Sequence, residues 1–207
     1  METVQTSSIT SQKWLKATVL LLTVGMILGV ASTASAHGKK KKGKAIAIKT
    51  AGLAVYPGEG ECTNEEGFTG PNGEGPLTEI TLKFTGALEG CLYAFPQSDS
   101  YECDEETGHA VFREEGVEIF AGTFDDGDPN TTRDEGYGTI GTTYVYEATF
   151  INCTTEPIQI SGGCDHPFVF GTGTGVFENV KGRFDIVDNI VDGVAVDFPY
   201  ELKLRAR

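Results

Sequence analysis

The stretches TEITLKF, residues 78–84, and YVYEATF, residues 144–150, decide the fold class of this chain. In both, apolar or β-branched side chains alternate with polar ones, and a period of two residues is typical of a β-strand with one face on a core. Similar short runs recur about every ten residues, and Gly and Pro occupy the gaps between them. This spacing predicts an all-β domain, either a single antiparallel β-barrel of about eight strands or, as the second choice, a β-sandwich.

Further strands are predicted at 109–113, 117–124, 182–187 and 200–204, with a short run at 168–170. Glu114-Glu115-Gly116 lies between the first two and predicts a tight hairpin turn. No stretch keeps a helical period for more than two turns, and no internal repeat is present. The sequence therefore predicts one barrel domain over residues 45–207.

The first 36 residues have the pattern of an export signal. Lys13 and Lys16 provide a positive flank, residues 18–30 form an apolar run, and Ala34-Ser35-Ala36 matches a small-x-small cleavage site. The apolar run is too short to cross a bilayer comfortably, because a membrane span needs roughly 20 apolar residues. We predict a signal peptide over 1–36 that is cleaved, and a secreted or periplasmic protein.

Charge is distributed very unevenly along the chain. The whole sequence has 16 basic and 30 acidic residues and a net charge of -14, and five of the lysines are concentrated in residues 37–44. The body that follows is strongly acidic, which argues against nucleic acid as a partner, because phosphate backbones bind basic faces. We predict a disordered arm over 37–44. Its lysines, Lys39 to Lys44, either contact an anionic membrane or polysaccharide or form a solvated tail.

All the cysteines lie in the part predicted to be exported: Cys62, Cys91, Cys103, Cys153 and Cys164. An oxidising compartment favours two disulfides and one residue left over. Spacing alone does not assign the pairs, but short loops are the easiest to close. This favours Cys153 with Cys164 and Cys91 with Cys103, leaving Cys62 unpaired. A zinc site is the rival interpretation, and the absence of a C-x-x-C pair argues against it.

Residues 171–184, GTGTGVFENVKGRF, resemble the Gly-rich "GGTGxFxxAxG" stretch of allene oxide cyclase-like and dirigent-like barrels. The similarity covers mainly residues 168–204. In those families the stretch closes a late hairpin of an eight-stranded barrel, so the resemblance implies a barrel whose interior can be apolar. The families include cyclases and proteins that steer radical coupling. None of their functional residues matches a position here, so the resemblance assigns no catalytic residue.

The best candidate for a cation site lies in the loop around residues 125–135. Asp126, Asp128 and Asn130 have the one-three-five spacing with which a calcium loop presents its oxygen ligands. Thr131 and Tyr137 stand where an EF-hand needs Gly and a bidentate Glu, so an EF-hand is rejected. An irregular Ca²⁺ site is the alternative to a solvated loop, and no other cofactor is predicted.

One pair of residues has the chemistry of a nucleophile and its base. Cys164 and His166 are two apart, so they share one face of a strand. Because Cys164 is expected to be in a disulfide and therefore inert, no catalytic residue is predicted.

Aromatic residues on the predicted strands are the candidates for lining a ligand cavity inside the barrel. They are Tyr93, Phe112, Phe120, Tyr144, Tyr146 and Phe170. The alternative is that they fill the core, as side chains do in small barrels.

The predicted function is that of an exported, non-enzymatic β-barrel that binds a small apolar ligand or a cell-surface component. One alternative is a cyclase-like barrel enzyme that acts on a small hydrophobic substrate. It requires a buried ionisable residue in the cavity with a strongly shifted pKa. The other alternative is a structural or adhesive surface protein, which requires a filled interior and salt-sensitive attachment through Lys39 to Lys44.

Overall fold

The computed structural model describes residues 46–125, 136–153 and 157–206. The predicted signal peptide and lysine arm lie outside the described residues, and so do the calcium candidates Asp126, Asp128 and Asn130. Within the described residues, no helix is long and apolar enough to cross a membrane.

The described residues contain nine strands and two single-turn 3-10 helices, at Thr78–Ile80 and Gly175–Phe177. The strands are β1 (Ile46–Val55), β2 (Leu82–Gly86), β3 (Leu88–Asp104), β4 (His109–Phe124), β5 (Gly138–Ile151), β6 (Ile158–Pro167), β7 (Lys181–Val187), β8 (Asn189–Val191) and β9 (Val194–Ala206). They pair antiparallel in the order β1-β2-β3-β4-β5-β6-β7-β9, and β9 pairs back onto β1. Eight strands thus close a barrel, and β8 is a short extra strand on β9. The prediction of an all-β barrel is confirmed.

The first of the two diagnostic stretches is a strand only in part. Residues 78–80 form a 3-10 turn, and β2 begins at Leu82. The turn closes because the Thr81 side chain donates to the Leu77 carbonyl at 3.0 Å, while the Leu77 N–H donates to Ala94 of β3. The second stretch, 144–150, lies wholly inside β5 as predicted.

The predicted hairpin at residues 114–116 is wrong, because β4 runs without interruption through all three. Gly116 lies opposite Pro96 on β3 and Tyr144 on β5. A Cβ atom at this position would lie 2.6 Å from both the Phe95 carbonyl oxygen and the Tyr144 ring. Glycine is needed here because two neighbouring strands approach closely, not because the chain turns.

The Gly-rich stretch connects β6 to β7, which pair with each other. Its 3-10 turn places Phe177 in the barrel interior, where the ring is fully buried against Phe120 and Phe124. This end of the barrel is filled by one apolar cluster. Its large members include Phe84, Leu88, Leu92, Phe120, Phe124, Ile140, Phe177, Phe184, Leu202 and Leu204.

The structure contains two disulfides and one free thiol, as the cysteine count predicts, but the pairs are different. Cys62 is bonded to Cys91, Cys103 is bonded to Cys153, and Cys164 is free. The predicted pair of Cys91 with Cys103 is wrong because both residues lie on β3. Twelve residues of extended strand separate them by roughly 40 Å, whereas disulfide-bonded Cα atoms lie about 6 Å apart.

The predicted pair of Cys153 with Cys164 fails for the same reason. Cys164 lies opposite Tyr146 on β5, seven residues from Cys153 along the chain. That distance is roughly 23 Å in an extended strand. The prediction that Cys62 is unpaired is wrong too, because Cys62 joins the loop after β1 to the outer face of β3.

Candidate functional site

The other end of the barrel holds a partly open cavity of about 160 Å³. One part of its wall is apolar and is formed by Ile80, Leu82, Ala94, Ile186, Ala195 and Phe198. The rest of the wall is polar and is formed by Glu114, Glu118, Tyr144, Tyr146, Gln159, Cys164, His166 and Asp188, while Tyr56 is half exposed. The two parts meet where Ile186 lies opposite Cys164 on the neighbouring strand. No lysine or arginine is among the described residues that line the cavity.

Cys164, His166 and Glu118 form a continuous hydrogen-bonded chain on the polar wall. The Cys164 Sγ lies 2.6 Å from Nε2 of His166, and Nδ1 of His166 lies 2.6 Å from Oε2 of Glu118. Thr142 donates its hydroxyl to the same Oε2 at 2.7 Å. His166, Glu118 and Thr142 are all at most 5% exposed, so water competes little with these contacts.

The barrel places these side chains by simple strand alternation. Glu118 is two residues from Phe120 on β4, and Thr142 lies directly opposite it on β5. Cys164 and His166 are two apart on β6 and share one face, as predicted from their spacing, and this face points into the cavity. The imidazole is held in position by the Phe184 ring, which stacks on it with centroids 4.4 Å apart and an interplanar angle of 17°.

A second polar group surrounds Asp188, which follows β7. The Tyr146 hydroxyl donates to Oδ2 of Asp188 at 2.8 Å, and Gln159 donates both to this oxygen and to the Tyr146 hydroxyl. Gly162 on β6 makes room for them, because a Cβ there would lie 2.1 Å from Asp188 and 2.5 Å from the Gln159 amide. Nearby, the Tyr144 hydroxyl donates to Glu114 at 2.7 Å.

Burial and the surrounding carboxylates keep one thiol and two phenols of the wall protonated. Burial raises the pKa of the Cys164 thiol well above its ordinary value, and the negative charges of Glu118 and Asp188 raise it further. Burial also raises the pKa of Tyr144 and Tyr146, and their hydrogen bonds to carboxylates act in the same direction. The cavity therefore presents a neutral thiol and neutral phenols at physiological pH.

The structure brings together only two of the six predicted ligand-lining aromatics, Tyr144 and Tyr146. Phe112 contacts the Tyr146 ring at 6.2 Å without lining the cavity. Phe120 is fully buried in the filled end, while Phe170 is 66% exposed and lies under the Lys181 ammonium.

Tyr93 belongs to a separate cluster on the outer face of β3. Its neighbours in sequence, Leu92 and Ala94, both point inward, so alternation turns Tyr93 outward. There it packs with Phe95 and is covered by Phe68 from the loop after β1.

Sequence reasoning missed most of the polar wall. Glu118 lies two residues before Phe120 in the alternation of a predicted core strand, and that position was the one available signal. Asp188 and Gln159 carried no signal, because they meet only through the register of β6 against β7, which the sequence pattern does not specify. Among the described residues, no group of three or more His, Cys, Asp or Glu side chains is arranged to hold a metal ion.

Comparison of the chain with protein-family models, with curated proteins and with solved structures found no match in any of the three. The resemblance to allene oxide cyclase-like and dirigent-like barrels therefore stays a prediction.

Proposed function

We propose that this protein binds a small molecule in the cavity of its barrel. The ligand has an apolar body about the size of one aromatic ring and a hydrogen-bond-donating end, best a protonated amine. The observation that carries the proposal is the division of the cavity wall into an apolar part and a carboxylate-rich part. The sequence predicts an apolar ligand, and the polar wall is the reason for proposing that the ligand also has a hydrogen-bond donor.

The size of the cavity supports a small ligand. A dry cavity of about 150 Å³ accommodates benzene, and the volume here is about 160 Å³. Ordinary drug-sized ligands need about 300 Å³ or more. The ligand body would pack against residues such as Leu82, Ala94 and Phe198, and its polar end would face Asp188 and Glu114.

The charge of the wall supports a donor or a cation at the polar end. Three carboxyl side chains, Glu114, Glu118 and Asp188, line the cavity, and no basic side chain is among the described residues that do so. A ligand carboxylate would meet like charges in a partly desolvated site, whereas an ammonium group would meet opposite ones.

We propose that the protein works outside the cytoplasm, in a secreted or periplasmic location. The two disulfides are consistent with an oxidising compartment, and the pattern of the first 36 residues supports export. The resemblance of residues 168–204 supports membership of the allene oxide cyclase-like barrels within this proposal. Contact of Lys39 to Lys44 with an anionic surface is a separate proposal that the lysine run supports.

Calorimetric titration with four ligands that share one ring tests the proposal. We expect affinity to decrease in the order benzylamine, benzyl alcohol, toluene, benzoate, because the end group changes from cation to donor to apolar group to anion. Ala94→Leu fills the cavity and should weaken benzylamine binding at least tenfold, or by about 1.4 kcal/mol. Ala51→Leu, on an exposed position of β1, is the matched control and should bind like the unmodified chain.

Absence of binding by all four probes would overturn the proposal. Equal binding of benzylamine and benzoate would overturn the role of the carboxylates. Binding that survives Ala94→Leu would place the ligand elsewhere on the protein.

A further inference from the structure

The hydrogen-bonded chain on the cavity wall is an array in which each residue orients the next. Cys164 faces the cavity, His166 accepts or donates at its sulfur, and Glu118 holds the far nitrogen of the imidazole. A thiol, a base within hydrogen-bond reach and a third group that orients the base are the parts of a nucleophilic triad.

We propose that Cys164 is a nucleophile that accepts an acyl group from a small neutral ester bound in the cavity, with His166 as its general base. The proposal rests on the proposed function, because the ester must occupy the same cavity as the ligand. It adds a reaction to what would otherwise be a binding site.

Three observations on separate residues support this role. Among the described residues, Cys164 is the one cysteine outside a disulfide, although the other four are paired. The imidazole is clamped by the Phe184 ring and by Glu118, so its Nε2 points at the sulfur without rotating. Thr142 occupies Oε2 of Glu118 from the other side, which fixes the carboxylate as well.

The base is required because the thiol is neutral. Burial and neighbouring carboxylates raise the pKa of Cys164, so a preformed thiolate does not supply the nucleophile. Transfer of the proton to His166 as the sulfur attacks avoids a free thiolate in this acidic wall. Glu118 then stabilises the imidazolium that forms.

The reaction is balanced as follows. The Cys164 sulfur forms a bond to the carbonyl carbon of the ester, and the thiol proton moves to Nε2 of His166. The ester C–O bond breaks, the alkoxide takes the proton from His166 and leaves as an alcohol, and a thioester remains on Cys164. Water then attacks the thioester carbonyl, the C–S bond breaks, and the products are a carboxylic acid and the regenerated thiol.

The wall also limits the substrate class. Glu114, Glu118 and Asp188 disfavour an anionic substrate, and the volume of about 160 Å³ admits only a small acyl group or a small alcohol part. The carboxylic acid product is repelled by the same carboxylates, which favours its release. Tyr144 and Tyr146 are the neutral hydroxyl donors on this wall.

The test is incubation of the full exported chain, disulfides intact, with phenyl acetate, followed by intact-mass and peptide mass spectrometry. We expect one acetyl group on Cys164 and release of phenol. Cys164→Ala should abolish the acetylated peptide, and His166→Gln should slow acetylation by about 100-fold or more. Benzyl alcohol titration of each variant reports whether the fold and cavity survive.

Glu118→Gln tests the positioning residue separately. The amide keeps the size of the side chain and can still accept from His166, but it cannot stabilise an imidazolium by charge. We expect the acetylation rate at saturating phenyl acetate to fall by about tenfold or more. A merely structural role would raise the phenyl acetate concentration needed for saturation and leave the saturated rate unchanged.

The outcomes separate the two proposals. Binding of benzyl alcohol without acetylation of Cys164, or with acetyl groups on lysines alone, would overturn the nucleophile and leave the proposed function intact. An unmodified chain that neither binds benzyl alcohol nor becomes acetylated would overturn both the proposed function and the nucleophile. An acetylation rate on Cys164 that His166→Gln leaves unchanged would overturn the triad.

Discussion

The two ends of the barrel interior differ in how their space is occupied: one is filled by apolar side chains and the other contains a cavity. At one end, rings such as Phe84, Phe120 and Phe177 meet at centroid distances of 5.6 Å and leave no charged group among them. At the other end, charged and hydroxyl side chains surround open volume. On β4 the filled end and the cavity end meet between two successive inward-pointing residues, Phe120 and Glu118. Apolar burial in the filled end stabilises the fold, and this leaves the cavity end free to carry polar groups that a core would not tolerate.

The largest expected effect is the loss of a ring from the filled end. Phe120→Ala should lower the free energy of unfolding by about 3–5 kcal/mol, because a fully buried ring is replaced by a cavity that close-packed neighbours cannot fill. Phe198→Ala, at the cavity wall, should cost at least about 1 kcal/mol less, because Phe198 already borders open space on one side.

Urea denaturation followed by circular dichroism measures both values. Tryptophan fluorescence is unsuitable, since the sequence has one tryptophan, Trp14, within the predicted signal peptide. Equal costs at the two positions would contradict the division of the interior into a filled end and an open end.

The all-β character of the fold could largely be predicted from sequence, because it follows from local alternation. Stretches such as 144–150 show a period of two and lie within strands. Which part of the interior is filled could not be predicted, and Phe120, expected as a cavity-lining residue, lies in the filled end. The hairpin predicted at residues 114–116 was wrong, although it too rested on a local pattern. Gly116 resembles a turn residue in the sequence, and only the approach of β3 and β5 explains why β4 needs glycine there.

The candidate site could be predicted only where it depends on one strand. The shared face of Cys164 and His166 followed from their spacing, and the structure confirms it. Glu118 could not be added, because it is 48 residues from His166 in sequence and reaches it past the intervening strand β5. The disulfide pairs were wrong for a related reason. Proximity in sequence does not give proximity in space here, because long strands such as β3 separate residues that are close in sequence.

The second prediction concerns alkaline pH. Tyr200 lies in the filled end, where burial raises its pKa to about 12 from its ordinary value of 10.0. A raised pKa in the folded state means that stability is fully present below the unfolded value and is lost as pH rises through the folded value. Tyr200 should therefore account for a loss of about 2–3 kcal/mol between about pH 10 and pH 12.

Urea midpoints measured across that pH range, with Tyr200→Phe as the comparison, isolate this contribution. The variant loses the hydrogen bond that the Leu88 N–H donates to the phenol, so it is less stable at neutral pH. Between about pH 10 and pH 12, the free energy of unfolding of this variant should fall by about 2–3 kcal/mol less than that of the unmodified chain. Tyr144 and Tyr146 at the cavity end are present in both proteins, so their contributions to the pH dependence cancel in the comparison. Parallel curves would show that the Tyr200 phenol does not control the alkaline limit of the filled end.

The same substitution at two buried alanines, one that does not border the cavity and one that does, should have different costs. Ala54 is fully buried in the filled cluster, and Ala94 is equally buried but borders the cavity. Ala54→Leu should cost about 1–3 kcal/mol of stability, because the added atoms force packed neighbours apart. Ala94→Leu extends into open volume and should cost less than about 1 kcal/mol. Thermal unfolding of the two variants gives the comparison, and a larger loss for Ala94→Leu would mean that the cavity is not available to an added side chain.

The smallest expected effects distinguish the two tyrosines of the cavity wall. Tyr146 makes two side-chain hydrogen bonds, one to Asp188 and one from Gln159, whereas Tyr144 makes one, to Glu114. Asp188 is buried, so Tyr146→Phe removes a donor from a carboxylate that water reaches poorly, and we expect a cost of about 1–2 kcal/mol.

Tyr144→Phe should cost about 0.5–1 kcal/mol, because Glu114 is only partly buried and water can replace the lost hydroxyl. Urea midpoints of the two variants give the ranking.

The same variants should differ in benzylamine binding. A carboxylate freed of its tyrosine has a lone pair for the ammonium group, so Tyr146→Phe should bind benzylamine at least as tightly as the unmodified chain despite its lower stability. Weaker binding with lower stability would instead mean that the Tyr146 hydroxyl, rather than the Asp188 carboxylate, receives the ligand, which would reverse the polarity expected of the ligand's polar end.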